Sequence, residues 1–449
     1  MPQTLSETTI EQLAARHKEP AWLTQWRTAA WQRHAQLPWP SPSDEIWRRT
    51  DMSVFDPSRP SAIGLEASLT QGVKVSDRQL ADLLHPAEGE AFSARLDGTW
   101  LAQQLPPGVA ILELARAAQE RAEVVRAILD ADGLTPQEQK LTSLNAAFHH
   151  DALLIQIPAG FQHAQPLRLV RLLSVAPQVA LFPLTLVVVG EGSRVSLVEE
   201  DVGLSLVPLE ASPDAAGGGT TEHTINGRIE LILEPHATVR YCRIQRWAAG
   251  AHEFLLQRAT LREGAQLDMV NINIGGRVSK THVIAQLLGA QAMSRVYGFV
   301  FGHDRQHVDF HSLQDHQAPR TMSDLLYKAA LTDASRMIYT GLIRIAKTAK
   351  QTDAYQANHN LLLSQQAKAE TIPMLEILAD DVRCKHGATI GPVDEEQLFY
   401  LMSRGIPRTL AERILVRGFV EPVIRQVPGE ALQQRLLEEL EGSLLPTPS

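Results

Sequence analysis

The sequence predicts a mainly β protein, a parallel β-helix flanked by N-terminal and C-terminal helical domains. Three observations point there. After Asp151 the texture changes to short β-branched runs at 153–157, 167–173, 184–189, 195–198 and 229–233, separated by Gly, Pro, Asn and Asp. A tight turn with a small residue then recurs ahead of alternating strands, as Glu191-Gly192-Ser193, Pro235-His236-Ala237, Glu263-Gly264-Ala265 and Gly289-Ala290-Gln291, and again as Asp333-Ala334-Ser335 and Gln366-Ala367-Lys368. From His236 to Gly264 is 28 residues and from Gly264 to Ala290 is 26, within the range of stacked repeats. Finally, alternation switches parity inside a unit: Leu267 and Met269 share one face, whereas Val270, Ile272 and Ile274 share the other. A bend between two short strands would explain the switch. Several strands per unit without intervening helices favour coils that each bury an inner face on the next. A β-sandwich would want hairpin turns, for which Asn226-Gly227 is the one candidate.

The flanking segments follow in order. Residues 5–36 read as helix, with Trp22, Trp26 and Trp31 near one face, until the prolines at 38, 40 and 42 stop it. The stretch 45–51 mixes aromatic and charge and reads as an amphipathic turn on those helices. An apolar entry at 109–112 leads into an alanine-rich helix to about 130, with Ala115, Ala118, Ala122, Val125 and Leu129 at helical spacing. Gly133 and Pro136 close it, and 140–148 reads as another short helix. Residues 208–221, with Gly217-Gly218-Gly219, read as a flexible loop between coils.

Three helices end the chain. Asp394 can cap the first, whose stripe is Leu398, Leu401 and Met402 and whose end is Gly405. The second spans 407–417, with Leu410, Ile414 and Leu415 on one face, and stops at Gly418; the third lines up Leu432, Leu436 and Leu440. Such helices can cap a solenoid's open end or dock a partner. The expected domains are therefore 1–150 (helical), 151–392 (β-helix) and 393–449 (helical).

Composition removes several function classes. A net charge of −9 over 449 residues, with no Lys/Arg-rich block, argues against nucleic-acid binding. The apolar run at 181–189 is broken by Pro183 and too short to span a bilayer. The first 15 residues carry Glu7 and Glu11 and no apolar core, unlike a signal or transit peptide. Two cysteines give no disulfide framework, so a cytoplasmic location is expected. No phosphate-cradling loop, Gly-x-Ser-x-Gly elbow or His-Glu-x-x-His motif occurs. A β-helix carbohydrate lyase or hydrolase is the alternative function, against which stand the few aromatics and the absent secretion signal. His303, His307, His311 and His316, with Asp304, Asp309 and Asp315 among them, resemble a metal cluster. Val308 and Phe310 sit poorly in a helix, however, and a polar loop or coil edge is the simpler expectation.

One stretch carries more chemistry. In Val382-Arg383-Cys384-Lys385-His386, an extended backbone puts Cys384 and His386 on one face and Arg383 and Lys385 on the other. A thiolate favoured by nearby cations, beside an imidazole, makes a soft-metal or sulfur-handling pair. A small buried cysteine beside a backbone-bonded histidine is the plainer alternative, and these residues alone leave both open.

The run Cys384-Lys385-His386-Gly387-Ala388-Thr389-Ile390-Gly391, followed by Leu398-Phe399-Tyr400-Leu401 and Ser403-Arg404-Gly405-Ile406, resembles the C-terminal signature of the SufB/SufD family. Glu45-Ile46-Trp47-Arg48-Arg49-Thr50-Asp51 (Arg49 replacing the usual Tyr), Leu144-Asn145-Ala146-Ala147-Phe148, Asn358-His359-Asn360-Leu361-Leu362-Leu363-Ser364 and Pro373-Met374-Leu375-Glu376-Ile377 match as well. The likeness covers essentially the whole chain. It implies a non-catalytic scaffold of the Suf iron–sulfur assembly machine, with a right-handed parallel β-helix between helical termini. Within the family the likeness is to the SufD branch, because Ala367 stands where SufB carries its sulfur-accepting Cys and Gly387 where SufB has an acidic residue. What this implies is pairing with SufB through the β-helix and docking of the ATPase SufC on the C-terminal helices. Phe399 and the turn Arg404-Gly405-Ile406 are the expected partner contacts there. His386 and Cys384 are the expected residues at the interface where a nascent iron–sulfur cluster forms transiently, and the expected metal ligands. Whether reduced flavin binds the complex stays open.

Overall fold

A computed structural model describes residues 5–56, 62–63, 84, 91–130, 133–175, 179–205 and 222–443. The expected loop at 208–221 lies outside them. The chain is mainly β, a solenoid of about seven turns flanked by helices at both ends. Its larger sheet carries β5 (Asp151–Ile157), β8 (Pro183–Val189), β10 (His223–Leu233), β12 (Ala251–Leu261), β14 (Val278–Leu287), β16 (His307–His316), β18 (Arg336–Ile345) and β20 (Lys368–Ile377). Facing it run β6 (Leu167–Val175), β9 (Arg194–Ser205), β11 (Thr238–Arg246), β13 (Gln266–Asn273), β15 (Met293–Gly302), β17 (Met322–Leu331), β19 (Thr352–Leu362) and β21 (Val382–Pro392). Successive coils pair in parallel throughout. Shorter strands extend the start of both sheets: β1 (Ala62–Ile63) pairs with β7 (Val179–Leu181), β2 (Ala91–Leu96) with β6 and β3 (Thr99–Gln104), and β4 (Ala110–Glu113) with β5. Asn226 and Gly227 lie inside β10, not in a hairpin turn.

The recurring turns form one of the two corners of the coil. Gly192, His236, Gly264, Gln291, Arg320 and Gln351 all have φ between 57° and 66° there. Each donates its backbone N–H to the next coil's turn, as in His236 to Glu263 O (2.8 Å) and Gly264 to Ala290 O (2.9 Å). A left-handed corner costs glycine nothing, which explains Gly192 and Gly264. The turns at 333 and 366 belong to the opposite corner and launch the other sheet, so the recurrence read from sequence mixed two columns.

The parity switch also has a different cause. β13 is one continuous strand buried on both faces. Leu267 and Met269 point into the lumen with Val239, Tyr241, Val296 and Leu325. Val270 and Ile272 point outward beneath the C-terminal helices. Apolar residues at both parities therefore mark a covered sheet and not a bend. Each such fully buried aliphatic contributes roughly 1.5–3 kcal/mol.

Near the first coils the lumen holds a buried ion-pair network beside its apolar core. Arg171 bonds Asp151 (3.0 Å), Glu199 (2.8 Å) and Asp201 (2.9 Å), and Arg243 bonds Asp201 and Glu253 (both 2.6 Å). These side chains share the inward parity of Leu169, Leu197, Val239 and Leu255. Removing one partner would leave an uncompensated buried charge, at about 3–5 kcal/mol.

At the N-terminus the expected single helix is two. Helix α1 (Glu7–His17) is capped by Ser6 and ends at left-handed Lys18, and α2 (Ala21–Gln36) starts after Pro20. Leu23, Arg27, Ala30 and His34 form its buried stripe, and the tryptophans flank it. Buried Arg27 holds Glu19 and donates to Ala147 O (2.9 Å) and His149 O (2.8 Å), satisfying carbonyls at the end of the helix that finishes at Phe148. The alanine-rich helix breaks at Arg121 into α3 (Leu114–Glu120) and α4 (Ala122–Leu129). Pro136 opens α5 (Pro136–Phe148) instead of closing its predecessor, behind a Thr135–Glu138 capping box.

The C-terminal helices are α6 (Glu395–Ser403), α7 (Arg408–Ile424) and α8 (Glu430–Ser443). Helices α7 and α8 lie along the outer face of the second sheet, where Val416, Val420, Val423, Leu436 and Leu440 cover Val270, Ile272, Phe299 and Phe301. They do not close the solenoid's open end. Gly418 does not stop α7, which runs on to Ile424.

Candidate functional site

Strand β21 closes the second sheet and β20 the first, so both are edge strands of the last coil. Register decides which way their side chains face. Cys384 pairs with Ala354 and His386 with Gln356, and the residues of β19 at that parity line the lumen. Cys384 and His386 therefore point along the inner face of a coil that has no successor. Cys384 is half-buried against Ala354, Ile343 and Ile345, whereas His386 is exposed. Across the lumen β20 presents Ala369, Thr371 and Pro373 at the inward parity, continuing Met337, Tyr339 and Gly341 of β18.

The electrostatics of Cys384 differ from expectation. Arg383 and Lys385 lie on the other face, as alternation requires, and do not activate it. Burial, then the charge of Asp353, push the Cys384 thiol up, so it is protonated at neutral pH. Among the described residues no group of three or more His, Cys, Asp or Glu is arranged to hold a metal ion. Cys384 and His386 supply at most two ligands. Any cluster here would need the rest from another chain.

The last coil also leaves apolar surface uncovered. Leu375, Ile377, Leu378 and Ile390 are exposed. Among the described residues no strand pairs with the outer edge of β20 or β21, and open strand edges beside exposed apolar side chains are surfaces on which another chain can add.

A second apolar surface lies on α6 and the start of α7. Phe399 is 73% and Tyr400 58% exposed, with Met402, Leu410 and Ile414 also exposed. Of the expected stripe of α6 only Leu398 is buried; on α7, Ala411 and Val416 pack in place of Leu410 and Ile414. The sequence pattern mistook this outward stripe for a packing face. Arg404 stacks over the Tyr400 ring (5.2 Å), left-handed Gly405 (φ 87°) turns the chain and Ile406 is half-buried beyond it.

The histidines at 303–316 do not converge. Of the expected polar loop or coil edge only 303–306 is a coil corner; His307 and His311 point outward from strand β16, and His316 points inward to Thr321 (2.8 Å) and Ser323 (2.9 Å). His303 sits at a coil corner with Asp304 (2.8 Å). His307 and Asp309 belong to a clasp that sequence reasoning missed. Thr50 donates to Asp309 (2.5 Å) and bonds His307 Nε2 (3.0 Å), while Lys280 donates to Asp309 and to Ile46 O (both 2.7 Å). Trp47 is buried against Phe254 and His282. The stretch 45–51 thus packs on the solenoid and beside Leu141 of α5, and not on α1 or α2. Its one signal was a tryptophan amid charge.

A solenoid left open at its last coil, with an apolar helical face beside it, has the build of a scaffold that works through contacts with other chains. The chain belongs to the SufBD family of iron–sulfur cluster assembly proteins: the family described as "SUF system FeS cluster assembly, SufBD core domain" matches residues 172–419, and the "SufBD protein N-terminal region" matches residues 92–169. It is 27% identical to the iron–sulfur cluster assembly protein SufD of Bacillus subtilis over 440 residues, 96% of each chain. A SufBD family protein of Staphylococcus epidermidis is 24% identical over 452 residues, 98% of this chain and 94% of that one. A Mycobacterium tuberculosis family member is 35% identical over 219 residues, 48% of this chain; the match spans only 26% of that relative's length. Among the described residues no helix is long and apolar enough to cross a membrane.

Proposed function

We propose that the chain is a SufD-type scaffold subunit that pairs with SufB through the open end of its solenoid. His386 then lies at the interface where a nascent cluster forms, and the ATPase SufC docks on α6 and α7. The chain itself is non-catalytic and works in the cytoplasm, with ATP hydrolysis by the partner. One observation carries the reading: the inward-facing pair Cys384 and His386 lies on an edge strand of the last coil, with His386 exposed and no further strand paired beyond it among the described residues. A second coil end abutting it would extend both sheets, bury Leu375, Ile377 and Ile390, and supply the ligands this chain lacks. A stable contact of that kind covers ~1,200–2,000 Å² in total.

The SufD assignment is supported by Ala367. Where the SufB branch carries its sulfur-accepting cysteine, this chain has a buried methyl group packed in the lumen core. Sulfur transfer to that position cannot occur here, so cargo chemistry falls to the partner's cysteine and to His386.

The test is co-expression with SufB and SufC, followed by sizing and by iron and sulfide analysis of the complex. Native chain is expected in a three-protein complex that holds iron and sulfide, and His386→Ala in an intact complex that does not. Full cluster loading with His386→Ala would overturn the role of His386. Failure of the native chain to join SufB would overturn the scaffold reading.

A further inference from the structure

The floor beneath His386 is a hydrogen-bonded column inside the last coils. Gln356 is buried and in register with His386 one coil down, on the same inward face. Side chains so registered stack at the strand spacing, about 4.8 Å. Both amide protons of Gln356 are spent on backbone carbonyls, Gly341 O (3.3 Å) and Met374 O (3.4 Å), which anchor it to β18 and β20. Its Oε1 accepts from the Tyr339 hydroxyl (3.4 Å), which in turn bonds Ser312 (2.9 Å). Gly341 makes the arrangement possible, because a methyl group there would collide with both Gln356 Oε1 and the Tyr339 hydroxyl.

An amide oxygen has two acceptor positions, and Tyr339 uses one. These bonds fix the orientation of the amide and leave Oε1 one acceptor position, with His386 the next inward residue in register along the column. We infer that Gln356 is the positioning residue of His386: in the docked complex its Oε1 accepts an imidazole N–H, a bond the free chain does not make, and holds the ring so that the opposite nitrogen faces the partner. Tyr339 and Gly341 set the amide for that task. A histidine that ligates through one nitrogen needs its other nitrogen held, since that bond chooses the tautomer and ring direction. The inference rests on the assembly role proposed for His386 and adds what orients it.

The experiment uses the complex with SufB and SufC and compares Gln356→Leu, Tyr339→Phe, His386→Ala and the double variant Gln356→Leu/His386→Ala. Iron and sulfide loading and urea stability are measured for each. Gln356→Leu is expected to lower loading about tenfold with the complex intact, and Tyr339→Phe to give a smaller loss. The double variant is expected to load no worse than His386→Ala alone, because the two act through one contact. A purely structural glutamine would instead lower urea stability and give losses that multiply. Native-like loading by both Gln356→Leu and Tyr339→Phe, or multiplying losses, would overturn the inference while leaving the role of His386 standing. Full loading by His386→Ala would overturn that role itself, and the inference with it.

Discussion

Trp47 lies on His282 with ring centroids 4.6 Å apart, pinning the segment upstream of the solenoid to the outer face of its larger sheet. Only 1% of Trp47 is exposed, and Phe254, next to His282 on the same sheet face, packs against it at 5.9 Å. The neighbouring Thr50, Lys280 and Asp309 bonds depend on that seat. Trp47→Ala should cost about 3–5 kcal/mol, read as a lower urea midpoint of the isolated chain. A change below 1 kcal/mol would show that the clasp is dispensable.

The C-terminal helices cover the second sheet and, in the function proposed, also receive SufC. Removing everything after Val393 would uncover Val270, Ile272, Phe299 and Phe301 and unsettle the solenoid, so truncation cannot isolate a docking role. Phe399→Glu with Ile414→Glu alters only exposed positions. This pair should weaken SufC binding at least tenfold, as loss of a central aromatic anchor does, with urea stability unchanged. Calorimetric titration with SufC checks it.

Cys384 should behave as a slow thiol. Burial and Asp353 both disfavour its thiolate, and the thiolate is the reactive form. Alkylation at neutral pH should be slower than for a free cysteine, and Asp353→Asn should accelerate it. Cys384→Ser should leave cluster loading in the complex near native.

Buried histidines set the acid limb of stability. Burial lowers His34 and His316 from 6.5 to about 4, against weaker opposing effects of the Lys140 carbonyl and Asp315 respectively. Between pH 6.5 and 4 the unfolded chain binds protons there that the folded chain refuses. Stability therefore falls as pH falls through that window, by up to about 3 kcal/mol per residue, and these contributions level off below pH 4. Urea midpoints should drop from pH 7 to 4.5, and His316→Gln should flatten the slope. A midpoint constant over that range would contradict the argument.

The coil was legible because turns such as Gly264 and strands such as β13 are local patterns. What failed was anything decided by a neighbour far along the chain. Val270 and Ile272 read as a bend because α7 and α8, which cover them, come over 130 residues later. Leu410 and Met402 read as packing residues because period alone cannot tell a buried stripe from a docking face. The facing of Cys384 and His386 was read correctly from alternation. Their position at an uncovered lumen, above Gln356, needed register between coils. The thiolate expectation failed since it weighed Arg383 and Lys385 by sequence distance, whereas Asp353 is the charge that acts on Cys384.

The most direct test of the account is hydrogen exchange on the chain with and without SufB. The unpaired edges of β20 and β21 should acquire bonds, so amides in residues 368–392 should slow by at least tenfold, with little change on α1 to α5. Protection confined to the helical termini, with β20 and β21 exchanging as in the free chain, would contradict the central claim that the open end of the solenoid is where the partner docks.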